Sequence, residues 1–258
     1  MVSRQVIDLH CHVLPGIDDG PETIEESVAL ARAAAAAGID TLVATPHVAA
    51  RYPNDADTIA RLVAEVAARL EQEAIPVRVL AGAEIAITHL PELDPEELSR
   101  LGLGGGRWLL VEPPFSPVAP GLPNSLQELQ RHGHRLVLAH PERSGALQRD
   151  HELLHALADS GVLMSITAGS LVGRFGGEVR RQALALAREG LIHNVTSDAH
   201  DTRNRVPELT EAIAQAGLEP LAEWLTTLVP AAILADEPIP PAPANPPRRS
   251  RPKRLWRR

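Results

Sequence analysis

Short β-type runs alternate with helical stretches along most of this chain. Seven runs of apolar and β-branched residues favour strands, over residues 5–9, 41–45, 77–85, 108–111, 135–139, 162–167 and 193–196. Six amphipathic or alanine-rich stretches favour helices, over residues 22–37, 57–73, 125–132, 152–160, 178–189 and 208–216. Because parallel strands need long crossover connections, the alternation predicts an α/β fold with parallel strands. Seven units favour a distorted seven-stranded (β/α)7 barrel of TIM type, with an open doubly wound sheet as the alternative.

The end of the chain differs in composition from the rest. The 258 residues are 44% hydrophobic and 22% charged, which is ordinary for a globular protein. From Asp236 onward, proline recurs too often for a helix or a central strand, and seven of the 25 Lys and Arg residues fall in the last eleven positions. We predict a folded domain over residues 1–235 and a disordered, basic Pro/Arg-rich tail over residues 236–258. This basic tail either contacts an anionic surface, such as lipid headgroups, or is solvated without a partner.

Cysteine content and hydropathy point to a cytoplasmic protein. The single cysteine, Cys11, excludes an internal disulfide framework and fits a reducing compartment. Residues 5–9 already form a predicted strand, so no signal peptide is expected. The longest apolar runs are too short or too interrupted to span a bilayer.

Histidine and carboxylate side chains follow six of the seven predicted strands. In chain order they are His10 and His12, His47, Glu84, Glu112, His140, and Asp198 with His200. Barrel enzymes place their chemistry at the carboxyl ends of the strands, so we expect these side chains to meet at one mouth. His10 and His12 point to the same side of an extended segment and can reach one metal ion together.

The donor set predicts a cluster of metal ions that binds phosphate. With Asp19 it comprises five histidines and four carboxylates, which suit Mn, Fe or Zn and exceed the needs of one ion. We therefore expect two or three divalent ions and a net positive site that attracts a dianionic phosphate. Arg143 and Arg205 follow His140 and His200 closely, and are predicted either to grip phosphate oxygens or to form surface ion pairs.

These motifs resemble the polymerase-and-histidinol-phosphatase (PHP) metal phosphoesterases. They are most similar to the capsule-type manganese-dependent protein-tyrosine phosphatases of bacteria. The matching segments are residues 10–20 (HCHVLPGIDDG), 45–47 (TPH), 139–143 (AHPER), 167–176 (TAGSLVGRFG) and 197–200 (SDAH). The resemblance implies a PHP-like catalytic barrel over residues 1–235.

The resemblance also implies a role for each candidate side chain. His10, His12, Glu84 and Asp198 would hold one ion, Glu84 would bridge to a second ion held by Glu112 and His140, and Asp19, His47 and His200 would hold a third. The catalytic residues implied are Arg143, Arg205 and Asp198. Asp18 is not expected to be a ligand.

The implied activity is hydrolysis of phosphotyrosine on a protein, linked to capsule or exopolysaccharide regulation. The implied partner is a bacterial tyrosine kinase of polysaccharide export. A small-molecule phosphatase, such as one acting on histidinol phosphate, is the main alternative, because the metal ligands would be the same. A metal-dependent nuclease that uses the basic tail is disfavoured because the acidic body would repel DNA and the tail is short, and a non-catalytic adaptor is disfavoured by the complete ligand set.

One cysteine, two phenylalanines and six histidines are assigned less fully by the sequence. A cysteine-dependent phosphatase would need an arginine that closes a short phosphate loop, whereas Ile17 stands six residues after Cys11. We therefore predict that Cys11 is a packing residue. Phe115 and Phe175 stand near candidate site residues, where core packing and substrate contact are both open. Six other histidines are predicted to be surface or capping residues: His89, His132, His134, His151, His155 and His193.

Overall fold

The computed structural model describes residues 5–243 as an α/β fold in which every strand pairing is parallel. The strands are β1 (Ile7–Cys11), β2 (Thr41–Ala44), β3 (His47–Val48), β4 (Arg78–Ala81), β5 (Glu84–Ala86), β6 (Trp108–Glu112), β7 (Arg135–Ala139), β8 (Leu163–Thr167) and β9 (Asn194–Thr196). They form a three-stranded sheet, β1-β2-β4, and a six-stranded sheet, β3-β5-β6-β7-β8-β9. The predicted α/β fold with parallel strands is confirmed.

Two of the seven predicted strands are each broken into two, which gives nine strands in the described part of the chain. Pro46 separates β2 from β3 because proline has no N–H to offer the ladder. Gly82 separates β4 from β5, and a Cβ there would meet Val43 Cγ1 at 2.9 Å. At this break Glu84 N donates to Pro46 O at 3.0 Å. The strand count of seven was therefore wrong for residues 5–243.

The described strands do not form one closed barrel. Between β1 and the segment after β9, the parallel ladder is reduced to an isolated bridge from Cys11 to Ala199. Two further hydrogen bonds cross here, from His12 N to Ala199 O and from Asp198 N to His10 O, both at 2.9 Å. The first and last strands of the described chain therefore approach each other at this seam, and the strands predicted to form a distorted seven-stranded barrel are found in two sheets rather than in a closed barrel.

Helices connect the strands and cover their faces. They are α1 (Ile24–Ala36), α2 (Ala56–Gln72), α3 (Pro95–Arg100), α4 (Leu122–Arg131), α5 (His151–Asp159), α6 (Ala168–Val172), α7 (Gly177–Glu189), α8 (Thr210–Gln215) and α9 (Val229–Leu234). Side chains of Thr23, Asp55, Asp94 and Asp150 cap α1, α2, α3 and α5 by accepting from a backbone N–H of the first turn. Each of the six predicted helices has a counterpart. Among residues 5–243, no helix has the length and apolarity needed to cross a bilayer.

The start of the predicted basic tail contacts the folded body. Trp224 Nε1 donates to Pro240 O at 2.9 Å, and Arg107 Nε donates to Asp236 Oδ2 at 2.7 Å. Ile239 packs against the core. The prediction for residues 244–258 lies outside the described residues, as does the anionic partner predicted for them.

Two histidines predicted to lie at the surface are buried to different degrees. His89 is 8% exposed, so that prediction was wrong. His193 lies between β8 and β9, where its Nδ1 accepts a hydrogen bond from Met164 N at 3.0 Å. Burial lowers the pKa of His193 to about 4, despite a backbone hydrogen bond that raises it.

The pKa of His193 predicts a loss of stability in mild acid. The unfolded chain binds a proton on this side chain at about pH 6.5, whereas the folded protein resists protonation until about pH 4. Stability from the neutral ring is therefore present above the unfolded pKa and is lost as the pH falls below it. The test is urea unfolding of the metal-free protein at pH 7.5 and at pH 5. Between these two pH values, the free energy of unfolding should fall by about 2 kcal/mol less in His193→Asn than in the parent. An equal pH dependence in both proteins would contradict this assignment.

Candidate metal centre

Seven of the nine predicted ligands lie near the carboxyl ends of strands or in the loops that follow them, whereas His47 and Glu84 open the short strands β3 and β5, just after β2 and β4. His10 belongs to β1, His47 to β3, Glu84 to β5 and Glu112 to β6, while His12, Asp19, His140, Asp198 and His200 lie in the adjoining loops. Six of them are at most 4% exposed: His10, His12, Glu84, His140, Asp198 and His200. So many buried ionisable groups require compensating charge or coordination.

Two of the predicted ligands have unusual backbone conformations. His140 has φ of 30° and Asp198 has φ of 52°, in the left-handed region that non-glycine residues rarely adopt. His140 directly follows β7, and Asp198 comes two residues after the end of β9. At both positions the chain turns sharply as it leaves a buried strand. Backbone strain of this kind is found mainly where the surrounding structure holds a functional geometry.

The ligand atoms converge into overlapping clusters. Within each cluster, one possible donor atom per residue lies within 4.8 Å of the others. The clusters are His12 with Asp19, His47 and His200; His10 with His12 and Asp198; His10 with Glu84 and His140; and His47 with Glu84 and Glu112. All nine predicted ligands are included, and shared members link the clusters into one group.

Several separations around Glu84 Oε2 fit coordination better than hydrogen bonding. Glu84 Oε2 lies 3.0 Å from His47 Nδ1, 3.3 Å from His10 Nε2 and 3.4 Å from His12 Nε2. Despite these distances, Oε2 has no hydrogen-bond partner among the described residues. Ligands of one ion with bonds of about 2.1 Å lie roughly 3.4 Å apart in a tetrahedron, which is the spacing seen here.

Asp198 presents a second oxygen of the same kind. Its Oδ1 lies 3.4 Å from His10 Nε2 and 3.5 Å from His12 Nε2, and it also has no hydrogen-bond partner within residues 5–243. The two imidazole Nε2 atoms face each other at 3.1 Å. These donor atoms point their lone pairs toward common positions, so the residues fit divalent metal ions.

The electrostatics of the cluster favour bound positive charge. Burial alone would lower the pKa of His12, but the hydrogen bond with Asp18 and the nearby carboxylates of Asp198 and Glu84 raise it well above its ordinary value. Burial raises the pKa of Glu112 to about 8, and the neighbouring Glu84 carboxylate adds to this increase. The same field that holds a proton on a buried imidazole also attracts a cation.

Asp18 orients the candidate ligands around it. Its Oδ2 lies 2.7 Å from His12 Nδ1 and accepts from His47 N at 3.1 Å, while Oδ1 accepts from Gly20 N at 2.9 Å. These bonds leave His12 Nε2 directed at the cluster. Asp19 instead lies 3.2 Å from His200 Nε2 and 3.4 Å from His47 Nε2.

Asp18→Asn should weaken metal binding without removing a ligand. The amide cannot supply the negative charge that fixes the His12 tautomer and raises its basicity, so we expect affinity for Mn²⁺ to fall about 10- to 100-fold. Calorimetric titration of the metal-free protein measures the change, with Asp159→Asn on the exposed end of α5 as the control. Unchanged affinity in Asp18→Asn would show that His12 needs no such support.

Other residues that support the cluster were not identified from the sequence. Asp8 Oδ1 accepts from Ser197 N at 3.0 Å and from His10 N at 3.3 Å, which ties β1 to the segment carrying Asp198. Burial raises the pKa of Asp8 to about 6, although hydrogen bonds from Ser197 oppose this shift. An acid inside the apolar run of β1 is the sequence signal that could have revealed it. The ring of Tyr52 also stacks on His47, with centroids 5.5 Å apart.

Arg143 and Arg205 meet at one oxygen of Asp198. Arg143 Nη1 donates to Asp198 Oδ2 at 2.6 Å, and Arg205 Nη2 donates to the same oxygen at 2.5 Å. A cavity of about 200 Å³ opens here, lined by Asp198, Arg205, Phe175 and five other residues. Two guanidinium groups beside a metal-ligand cluster form a favourable environment for an anion with several oxygens.

Cys11 takes no part in this arrangement. Its side chain is fully buried, and Sγ lies 3.7 Å from Ala199 O. Burial raises the pKa of the thiol well above its ordinary value, and nearby carboxylates such as Asp8 raise it further. A buried, protonated thiol is a poor nucleophile.

Cys11→Ser should therefore retain activity within about threefold, since only a buried thiol of similar size is exchanged. By contrast, His10→Ala removes a predicted ligand and should abolish most of the activity. Both variants are compared by steady-state hydrolysis of a phosphotyrosine peptide after Mn²⁺ loading. Loss of activity in Cys11→Ser with its metal content unchanged would implicate the thiol in the chemistry.

Comparison with known proteins places these features in a family. The chain is 37% identical over 209 residues to tyrosine-protein phosphatase YwqE of Bacillus subtilis, covering 81% of this chain and 82% of the relative. It is 28% identical over 215 residues to tyrosine-protein phosphatase CpsB of Streptococcus pneumoniae, covering 80% and 88% of the two chains. The resemblance predicted from the motifs is confirmed.

The fold comparison agrees with the sequence comparison. A crystal structure from work on YwqE and CpsB, described as unique metal-dependent tyrosine phosphatases, superposes with a TM-score of 0.81 at 33% identity. The match covers 93% of this chain and all of that chain. Residues 6–219 match the family described as capsular polysaccharide synthesis, CpsB/CapC. The chain therefore belongs to the CpsB/CapC family of capsular polysaccharide synthesis.

Proposed function

We propose that this chain is a metal-dependent protein-tyrosine phosphatase of capsule or exopolysaccharide regulation, acting in the cytoplasm. One observation carries the proposal: two arginine side chains converge on Asp198, itself a member of the ligand cluster. Cation sites beside two guanidinium groups suit a phosphate dianion. The names of the relatives YwqE and CpsB add the tyrosine-phosphatase activity.

The proposed cofactor is a set of two to three divalent ions, with manganese as the native metal and Fe or Zn as possible substitutes. His10, His12, Glu84 and Asp198 would hold one ion, Glu84, Glu112 and His140 a second, and Asp19, His47 and His200 a third. Three of the observed clusters contain most of each set, which supports this assignment. Bound divalent ions supply Lewis acidity and lower the pKa of water.

The protein's own side chains orient the phosphate and stabilise its charge. Arg143 and Arg205 would donate hydrogen bonds to the non-bridging oxygens, where negative charge builds up during displacement. Asp198 is catalytic in this scheme because it serves as a ligand and fixes both guanidinium groups. A tyrosine leaving group has a pKa of about 10, so its departure depends less on a strong general acid than that of an alkyl alcohol.

The proposed substrate is a phosphotyrosine protein, namely a bacterial tyrosine kinase of polysaccharide export. The candidate metal cluster is accessible from outside, since the side chain of Asp19 is 45% exposed.

A substrate panel tests the proposed function. The Mn²⁺-loaded protein is given a phosphotyrosine peptide, a phosphoserine peptide, histidinol phosphate and single-stranded DNA. We expect the highest kcat/KM for phosphotyrosine and loss of activity after exhaustive chelation. A strong preference for histidinol phosphate would replace the proposal with a small-molecule phosphatase, and full activity without metal would overturn the metal-dependent mechanism.

A further inference from the structure

Both phenylalanines of this chain lie against the guanidinium group of Arg143. The sequence contains two phenylalanines in all, Phe115 and Phe175. The ring centroid of Phe115 lies 5.0 Å from Arg143 Cζ, and that of Phe175 lies 4.5 Å from it. The core uses aliphatic side chains for most of its packing, so this concentration of phenylalanine at one arginine requires a separate explanation.

Phe115 is kept near the site by contacts of its backbone. It lies in the loop between β6 and α4, is 50% exposed, and stacks on His140 with centroids 5.5 Å apart and an interplanar angle of 13°. Ser144 Oγ donates to Pro114 O at 2.8 Å. A Cβ on Gly145 would meet Phe115 O at 3.4 Å. The loop that carries Phe115 is thus fastened to the loop that carries Arg143.

Phe175 approaches Arg143 from the loop between α6 and α7. A glycine at the start of α6 makes room for its ring, because a Cβ on Gly169 would meet Phe175 Cε2 at 3.1 Å. The ring also lines the cavity that contains Asp198 and Arg205. Phe175 therefore contacts one arginine of the proposed phosphate site and borders the other.

We propose that Phe115 and Phe175 are positioning residues that hold the Arg143 guanidinium ready for phosphate. The inference rests on the proposed function and adds to it the means by which one phosphate-binding side chain is oriented. A free arginine side chain has many rotamers, and ordering it opposes ligand binding. Aromatic rings attract a guanidinium group through cation–π and stacking interactions, so they order it before the ligand arrives.

The arrangement also accounts for an exposed aromatic ring. A half-exposed phenylalanine gains little from burial in the folded chain. Arg143 gains aromatic partners beside its ion pair with Asp198, to which its Nη1 donates at 2.6 Å. The ion pair fixes one end of the guanidinium group and the rings restrict its rotation.

The test measures binding of inorganic phosphate to the Mn²⁺-loaded protein, together with KM and kcat for a phosphotyrosine peptide. Phe115→Leu and Phe175→Leu keep apolar bulk but lose the ring, and each is made in the parent and in Arg143→Ala. We expect each leucine variant to weaken phosphate binding about fivefold, with a matching rise in KM and a smaller change in kcat. Phe115→Tyr keeps an aromatic ring and should therefore bind phosphate as tightly as the parent. Val118→Ala, at an exposed position of the same loop, is the control.

The Arg143→Ala background decides between positioning and general structural support. If the rings act through Arg143, the leucine substitutions have no further effect on phosphate affinity once Arg143 is absent. An undiminished fivefold effect in that background, or unchanged affinity in the parent background, overturns the inference. Failure of the proposed function gives a different result: the parent protein binds phosphate as expected but does not hydrolyse the phosphotyrosine peptide.

Discussion

Asp198→Asn is expected to lower kcat/KM for a phosphotyrosine peptide about a thousandfold. The substitution preserves size but removes the charge at a side chain with two uses. Asp198 Oδ1 faces the Nε2 atoms of His10 and His12, and Oδ2 receives both Arg143 and Arg205. Loss of the carboxylate should therefore weaken metal binding and release both guanidinium groups.

Two measurements separate this effect from unfolding. Metal content after dialysis should fall in Asp198→Asn, while the far-ultraviolet circular dichroism stays that of the parent protein. Asp159→Asn, a change of the same chemistry at an exposed position of α5, should alter neither. Near-normal hydrolysis by Asp198→Asn would remove Asp198 from the catalytic set and contradict the proposed site.

Arg205→Ala is expected to have the next largest effect, a fall in kcat of about 100- to 1,000-fold. This is the usual result of deleting one preorganised donor to developing negative charge. Arg205 lines the cavity and donates to Asp198, so its head group lies where phosphate oxygens would be bound. Arg205→Lys keeps the charge but loses the planar fork, and should recover only part of the activity.

Arg203→Ala provides a matched control two residues away. Arg203 is exposed, and only its backbone N–H contributes to the turn, by donating to Asp201 Oδ1 at 2.6 Å. Removal of the Arg203 side chain deletes the same charge from the same loop as Arg205→Ala does, and it should change kcat less than twofold. Equal losses in Arg203→Ala and Arg205→Ala would mean that long-range charge, rather than a positioned donor, drives the effect.

Position along the chain made much of the site predictable. A parallel α/β fold places the carboxyl ends of its strands at one edge, so a histidine or acid directly after each apolar run is expected to share a site with the others. The clusters contain all nine predicted side chains, from His10 to His200. The alternation of elements likewise predicted the parallel pairing of strands.

Finer features depended on contacts that a linear pattern does not contain. The split of residues 77–85 into two strands occurs at Gly82, where a Cβ would meet Val43 of a neighbouring strand. Asp8 resembles an ordinary strand residue until Ser197 is placed beside it. Phe115 and Phe175 are far apart in sequence, and only their shared contact with Arg143 indicates a common use.

The seam between β1 and the segment after β9 has a consequence for the order in which this enzyme becomes active. Donors for the same proposed ion, such as His10 and Asp198, are separated by almost the whole folded chain and are brought together by the bonds at the seam. A nascent polypeptide that has emerged only as far as β8 thus lacks Asp198 and His200, two of the nine proposed ligands. Phosphatase activity should begin abruptly, when the last strand docks beside the first, rather than grow gradually during synthesis.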